Sequence, residues 1–312
     1  MVVLPAAGGG RLRDRRLRQW LAQAELGRAQ IGRPVLSTVL EELGRTVPAG
    51  LAALRLWGAT GERPSAWVAA ADPVWLEPRL GSLCLHDLGD TVTPAELRLF
   101  TEHLQAMLGA DDRYEFAVIG DSAYVSAQVP FPTAAVPAAS IDGGRPDSYL
   151  PDGPAAAGHR RLISEIEMAL HEHPANAARA ITGQRPVNAL WLWGGGTAEE
   201  RVVEALPPLF ADDTLAKGYW LSKTGISESW PGSIGACLDA AAPAFVALAP
   251  AEDDAPALES LLGELRKALR SGRVERLVLW FMDGLRADVR RTHALRLWRL
   301  HNTLLERGQD GE

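Results

Sequence analysis

A chain of 312 residues with 47% hydrophobic and 23% charged side chains can bury one large core or two lobes, which excludes pervasive disorder. Its net charge of −7 argues against nucleic acid as the main partner, because phosphate neutralisation favours basic surfaces. No apolar run approaches the ~18 residues of a membrane span, and residues 1–10, MVVLPAAGGG, lack the charged region of a leader, so a flexible start and a cytoplasmic protein are expected.

Arg11, Arg13, Arg15, Arg16 and Arg18 lie opposite Leu12, Leu17, Trp20 and Leu21 on one helical pattern. The reading is a solvated helix face, with an anionic partner as the alternative. The spacing predicts helices through residues 11–58, punctuated by Pro34 and Pro48. Strands are predicted at 66–70 and 83–85. Thr93-Pro94-Ala95-Glu96 has the form of a capping box opening a helix that runs to residue 108. Residues 114–119 and 123–128 read as a hairpin around Gly120-Asp121.

Residues 129–158, rich in Pro, Gly, Ala and Ser, read as the boundary between two lobes: a helical and hairpin lobe over 11–140, and an α/β lobe over 141–312. In the second lobe, helices are predicted at 155–172 and 176–181. A strand at 187–193, a helix from 198, a strand at 244–249, a helix at 257–269 and a strand at 276–281 follow. An Arg-rich helix at 287–306 closes the chain. Strands alternating with helices predict an α/β fold with a mainly parallel sheet flanked by helices.

The most informative segment is VNALWLWGGG, residues 187–196. Leu190 and Leu192 face one way and Trp191 and Trp193 the other, as in a strand buried on both faces. Gly194, Gly195 and Gly196 end it, and Thr197 and Glu200 have capping-box spacing for a following helix. Strand, glycine loop and helix start can present amides to an anion, although neither the P-loop nor the dinucleotide glycine pattern is present. The alternative is that the glycines permit close packing or a sharp turn. Asn176, Arg179 and Asn188 lie close by in sequence. They could fix loops, or Arg179 could face an anion.

Other candidates are sparser. Glu167 and His171 lie four apart on a helix and His173 follows; two ligands make no metal site by themselves. Asp283-Gly284 follows a strand and reads as a turn. His86-Asp87 could form an acid–base pair. Ser222, Lys223 and Thr224, between Trp220 and Trp230, could line a polar pocket. Cys84 and Cys237 sit among apolar residues, without metal-binding Cys/His spacing, and read as reduced core residues.

Residues 164–196, SEIEMALHEHPANAARAITGQRPVNALWLWGGG, resemble the bacterial RpfE-type regulatory proteins, as does WVAAADPVWL at 67–76, where Trp75 stands in place of the family's usual His. A more distant similarity is to archaeal-type cofactor-independent phosphoglycerate mutases. Those proteins share a Trp-x-Trp-Gly strand and loop and a Lys-Gly segment like Lys217-Gly218. The resemblance implies an alkaline-phosphatase-like sheet or a reduced version of it. The candidates for ligand contact around the central segment are Asn188, Trp191, Trp193, the three glycines, Arg179 and Lys217. Such mutases hold two divalent metals through clustered Asp and His. Here the strand at 244–249 leads to Glu252, Asp253 and Asp254 without a His, and the N-terminal Asp-Gly turn is missing. The expectation is therefore a regulatory protein binding a protein partner or a small anionic ligand, without a metal cofactor. One alternative is a phosphomutase using manganese or zinc through rearranged ligands, for which Glu167, His171 and Asp283 are the candidates. The other is a structural interaction module.

Overall fold

The computed structural model describes residues 1–8, 11–28, 33–171, 173–241, 244–251 and 255–296. The chain opens with β1 (Val2–Leu4), α1 (Arg15–Ala22) and β2 (Glu25–Arg28). Next come α2 (Val35–Glu42), α3 (Leu51–Thr60), β3 (Val68–Arg79), β4 (Ser82–Asp87), α4 (Pro94–Leu108), β5 (Tyr114–Ile119) and β6 (Ser122–Ala127). These are followed by α5 (Ala157–Leu170), α6 (Pro174–Ile181), β7 (Ala189–Gly196), β8 (Leu209–Phe210), α7 (Thr214–Ser222) and β9 (Ser227–Glu228). The last elements are α8 (Ile234–Ala241), β10 (Val246–Leu248), α9 (Ala255–Ser271), β11 (Arg276–Phe281) and β12 (Leu285–Arg290). Among the described residues no helix is long and apolar enough to cross a membrane.

The chain divides into two units. One is Met1–Ile31, Val202–Asp213 and Lys223–Glu312; the other is Gly32–Arg201 and Thr214–Ser222. The expected split into 11–140 and 141–312 is therefore corrected. Residues 129–158 do not mark a boundary: Ala134, Ala138 and Ile141 are buried, and Ala134 exchanges backbone hydrogen bonds with Leu192 and Gly194. Small apolar side chains let this segment lie against β7, and the same composition reads as a linker in sequence.

The first unit carries a seven-stranded sheet in the order β2-β12-β11-β1-β10-β8-β9. Strands β11, β1, β10, β8 and β9 run parallel, and β12 and β2 form an antiparallel edge. This is the mixed α/β, parallel-rich sheet expected. Leu21 of α1, Cys237 of α8, and Leu262 and Leu265 of α9 pack with Val2, Leu4, Ala247 and Leu279 in its core. The flexible start is corrected: Val2, Val3 and Leu4 are buried, and β1 lies between β10 and β11. The helix expected from 287 is also corrected as far as residue 296. Leu285, Ala287 and Val289 alternate onto the buried face of β12, which returns from β11 through Asp283-Gly284. The helical stretch expected over 11–58 is interrupted by β2, which pairs with β12.

The second unit is built on an antiparallel sheet in the order β4-β3-β6-β5, with β7 also paired to β3. Phe100 and Leu104 of α4 and Leu162, Ile166 and Leu170 of α5 pack with Ala69, Ala71, Val125, Leu190 and Leu192. The capping box of α4 is as read: the Glu96 amide donates to Thr93 Oγ1 (3.2 Å), and the Thr93 amide donates to Glu96 Oε2 (2.8 Å). The WLW strand itself is corrected in two respects. It runs antiparallel to β3, with Asp72 opposite Trp191, rather than within a parallel sheet. No helix follows, because residues 197–208 have no regular structure. The carbonyls of Ala198 and Glu199, which a helix would turn toward later amides, instead accept from the Arg63 guanidinium at 2.8–3.1 Å.

Helices α3 and α7 approach through two glycines. A Cβ on Gly58 would lie 1.8 Å from the Thr214 carbonyl oxygen, and one on Gly218 would lie 1.8 Å from that of Leu54.

Candidate functional site

The glycines that end β7 are enclosed by protein. The Gly194 amide donates to the Ala134 carbonyl (2.8 Å), and that of Gly195 donates to Thr133 Oγ1 (2.8 Å). Gly194 has φ +64°, which favours glycine. Added Cβ atoms would lie 2.9 Å from the Ala52 nitrogen, 2.6 Å from the Trp67 ring and 2.6 Å from the Gly50 Cα at positions 194, 195 and 196. Close passage beside the start of α3 thus accounts for Gly194 and Gly196, and the Trp67 ring and Thr133 account for Gly195.

The surrounding candidates are also engaged within the protein. Trp191 Nε1 donates to the Val136 carbonyl (2.9 Å), and Trp193 lies beneath the Arg55 guanidinium (5.3 Å). Asn188 mimics a strand neighbour: its Oδ1 accepts from the Leu76 amide (2.8 Å) and its Nδ2 donates to the Leu76 carbonyl (2.9 Å). Asn176 does the same for Val187, at 2.9 Å in both directions. Arg179, 1% exposed, donates to the carbonyls of Arg185 (2.8 Å) and Thr91 (3.1 Å), to Thr91 Oγ1 (3.3 Å) and to Glu96 (3.1 Å). Lys217 is half-buried on α7.

The weak metal candidates are not brought together as a set. Glu167 and His171 are exposed, on α5 and at its C-terminal end, in the second unit. Asp283 belongs to the first unit, where its Oδ2 accepts from the amides of Ala7 (3.0 Å) and Gly8 (2.7 Å). Glu252, Asp253 and Asp254 lie outside the described residues.

Two cavities offer chemistry. In the second unit, about 570 Å3 is lined by Arg55, Asp72, Asp87, Asp90, Thr91 and Asp121, among others. Arg55 is committed to Asp72 (3.3 Å) and to the Tyr124 hydroxyl (3.1 Å), so the unbalanced charge there is negative. Burial pushes the Asp87 carboxyl up to about 6, helped by nearby Asp72, Asp142 and Asp90 and opposed by the Gly89 amide. The cavity attracts cations and repels phosphate. Because the folded chain holds this proton more tightly than the unfolded chain, the contribution of Asp87 to stability is present below pH ~4 and is lost as pH rises through 6. Urea unfolding between pH 4 and 7 should show this loss, and Asp87→Asn should flatten it.

The second cavity, about 560 Å3 in the first unit, is its electrostatic opposite. It is lined by Arg266 and Arg270 of α9, Arg290 and Arg291 at the end of β12, His293 and Trp20. Arg290 has Asp288 only at 3.9 Å. Arg266, Arg270 and Arg291 make no side-chain ion pair or hydrogen bond among the described residues. Arg266 is half-buried and the other three arginines are exposed. Unpaired guanidiniums over an apolar floor of Leu269 and Val289 suit a phosphate or carboxylate oxygen array. Sequence reasoning missed this cluster, although Arg266 and Arg270 stand at helical spacing beside Leu269. The helix expected over 287–306 obscures Arg290 and Arg291: Arg290 ends β12 and Arg291 opens a short 3-10 turn over Arg291–Leu295.

Fold and cavities describe a mixed α/β chain with a parallel-rich sheet and separate acidic and basic recesses. No protein-family model matches it. In sequence it is distantly similar to cofactor-independent phosphoglycerate mutases. It is 38% identical over 66 residues to the 2,3-bisphosphoglycerate-independent phosphoglycerate mutase of Methanosarcina acetivorans, which is 21% of this chain and 17% of that protein. It is 29% identical over 109 residues to the Methanosarcina barkeri protein of the same name, covering 34% and 27%. Against a probable mutase of this type from Geobacter sulfurreducens it is 29% identical over 125 residues, covering 39% and 31%. These matches span less than a third of each relative's length. Among solved structures, the cofactor-independent phosphoglycerate mutase of Thermoplasma acidophilum aligns with TM-score 0.39 at 15% identity over 100% of this chain and 94% of its own. The PH0037 protein of Pyrococcus horikoshii aligns with TM-score 0.47 at 14% identity, covering 90% and 80%.

Proposed function

We propose that this chain is a ligand-binding regulatory protein of the RpfE type, acting in the cytoplasm on a phosphoglycerate-mutase-like scaffold, and that its ligand is a small phosphorylated compound held in the arginine-lined cavity. The observation that carries this reading is the placing of Arg266, Arg270 and Arg291 around one recess without carboxylate partners among the described residues. Guanidiniums without a carboxylate partner among the described residues are poised to gain charge-assisted hydrogen bonds from an anion. A recess, unlike an extended basic stripe, suits a small ligand more than a nucleic-acid strand.

The second reading, an active phosphomutase, draws on the sequence similarity to mutases. Two-metal phosphoryl transfer needs several carboxylates and imidazoles converging on adjacent ions. Among the described residues one group of three metal-binding side chains comes together, Glu77, Cys84 and His86; it holds one carboxylate and one imidazole, too few for a two-metal clamp.

Calorimetric titration with inorganic phosphate and phosphoglycerate, beside a mutase assay supplied with manganese or zinc, separates the readings. Saturable binding is expected for the wild-type chain. It should weaken at least tenfold in the Arg266→Ala, Arg291→Ala double variant, without phosphoglycerate interconversion. Robust interconversion would establish the phosphomutase instead. Absence of any binding or thermal shift, with a protein recovered by pull-down, would favour an interaction module.

A further inference from the structure

The β3–β4 hairpin turns through Leu80-Gly81 and pairs Trp75 with His86, Glu77 with Cys84 and Arg79 with Ser82. Cross-strand partners share a face, and alternate residues along a strand share it too. Trp75, Glu77, Cys84 and His86 therefore project to one side of the hairpin. Glu77 Oε2 lies 3.1 Å from His86 Nε2, and one donor atom from each of Glu77, Cys84 and His86 lies within 4.8 Å of the other two.

We propose that Glu77, Cys84 and His86 form a zinc-binding site that is separate from the arginine-lined cavity. Donors around a tetrahedral zinc stand roughly 3.3–3.8 Å apart for bonds of about 2.0–2.3 Å. Small side-chain adjustments bring the three to that spacing. One thiolate, one imidazole and one carboxylate select a borderline-soft ion over magnesium or calcium. Beyond the donors, His86 Nδ1 faces Asp142 Oδ1 at 4.0 Å, and that same oxygen is fixed by the Asp87 amide at 2.9 Å. A carboxylate behind a ligating imidazole orients the ring and raises its basicity. Trp75 stacks on the ring from its own side, with centroids 5.0 Å apart. Cys84 is 3% exposed and His86 is 9% exposed, so these donors are sheltered, while Glu77 gives access from solvent. Three protein ligands leave the fourth position of the ion for water or an incoming group. The exposed Arg79 guanidinium holds Glu77 Oε2 at 2.9 Å and competes with a metal for it.

The test is titration of the chelator-stripped full-length chain with zinc, and separately with cobalt as a spectroscopic probe. One equivalent of zinc is expected to bind, and cobalt should give a near-ultraviolet thiolate charge-transfer band. Cys84→Ser should abolish that band, whereas Cys237→Ser should leave it. Glu77→Gln, at the accessible end of the hairpin where folding is least at risk, should weaken zinc binding at least tenfold. Arg79→Ala should strengthen it. Circular dichroism verifies that each variant is folded. No saturable binding, or binding unchanged by both Cys84→Ser and Glu77→Gln, overturns the assignment.

Discussion

Gly218→Ala is expected to cost the protein as much stability as any single methyl addition among the helices described. The new Cβ would sit 1.8 Å from the Leu54 carbonyl oxygen, a backbone atom of α3 that cannot turn aside as a side chain would. The helices must separate. Overpacking of this kind costs typically 1–3 kcal/mol and more where the obstacle is rigid, so a loss of ~3 kcal/mol or more is expected here. Gly58→Ala meets the Thr214 carbonyl at the same distance from the opposite side and should be equally harmful. The two should not be additive, since either one separates the same helix pair. Gly263→Ala in α9 is the control. Nothing lies within 4 Å of its Cβ, and replacing an unencumbered helical glycine should stabilise by up to about 1 kcal/mol. Urea unfolding of the three variants should give two large losses and one small gain.

Arg179→Ala should be the most damaging charge removal. The guanidinium ties α6 to the N-terminal turn of α4 and to the 88–93 turn through three acceptors, one of them the Glu96 carboxylate, and a fourth bond goes to the Arg185 carbonyl. Truncation leaves Glu96 and two backbone carbonyls without their donor, and breaking a buried pair in this way costs about 3–5 kcal/mol. The value should fall toward the lower end, because Glu96 is 23% exposed and keeps its bonds to Thr93. Arg179→Lys should recover little, because a single ammonium cannot reproduce the planar fork. Equilibrium denaturation decides the matter. An unchanged unfolding midpoint, with a lost response to phosphate, would instead make Arg179 a ligand contact.

The parts of the fold that could be read in the sequence are those whose signals are local. Thr93-Pro94-Ala95-Glu96 carries its own capping chemistry, and Gly120-Asp121 marks its own hairpin. What escaped depends on partners distant in sequence. β1 has three residues and β8 and β9 have two each, those of β9 being Ser227 and Glu228, so no periodicity can develop within them. The triple glycine reads as a loop because the Ala52, Trp67 and Gly50 atoms that demand it belong to other segments. Asn176, Arg179 and Asn188 read in the sequence as polar residues near the central strand, and the backbone groups of Val187, Arg185, Thr91 and Leu76 that they bond cannot be read there. The hairpin donors were closer to hand. Cys84-Leu85-His86 places two ligand types on one face of a strand, and the two-residue turn Leu80-Gly81 would have set Glu77 opposite Cys84. Reading 66–70 as a short strand hid that pairing, because β3 continues to Arg79.

The position of β1 has a consequence for how the chain is made. Val2 pairs with Ala247 on one side and Leu279 on the other, so an interior strand of the parallel sheet is synthesised well before either of its neighbours. At about 5–20 residues per second, the ribosome needs roughly 10–50 s to supply the first of those partners. Throughout that interval Val2, Val3 and Leu4 are an apolar segment without neighbouring strands. The first unit can close only after β11 has been made, whereas the long run 32–201 can fold as it emerges. Holding the early strand in an unaggregated state is therefore a task for the nascent chain and its chaperones, set by topology rather than by stability.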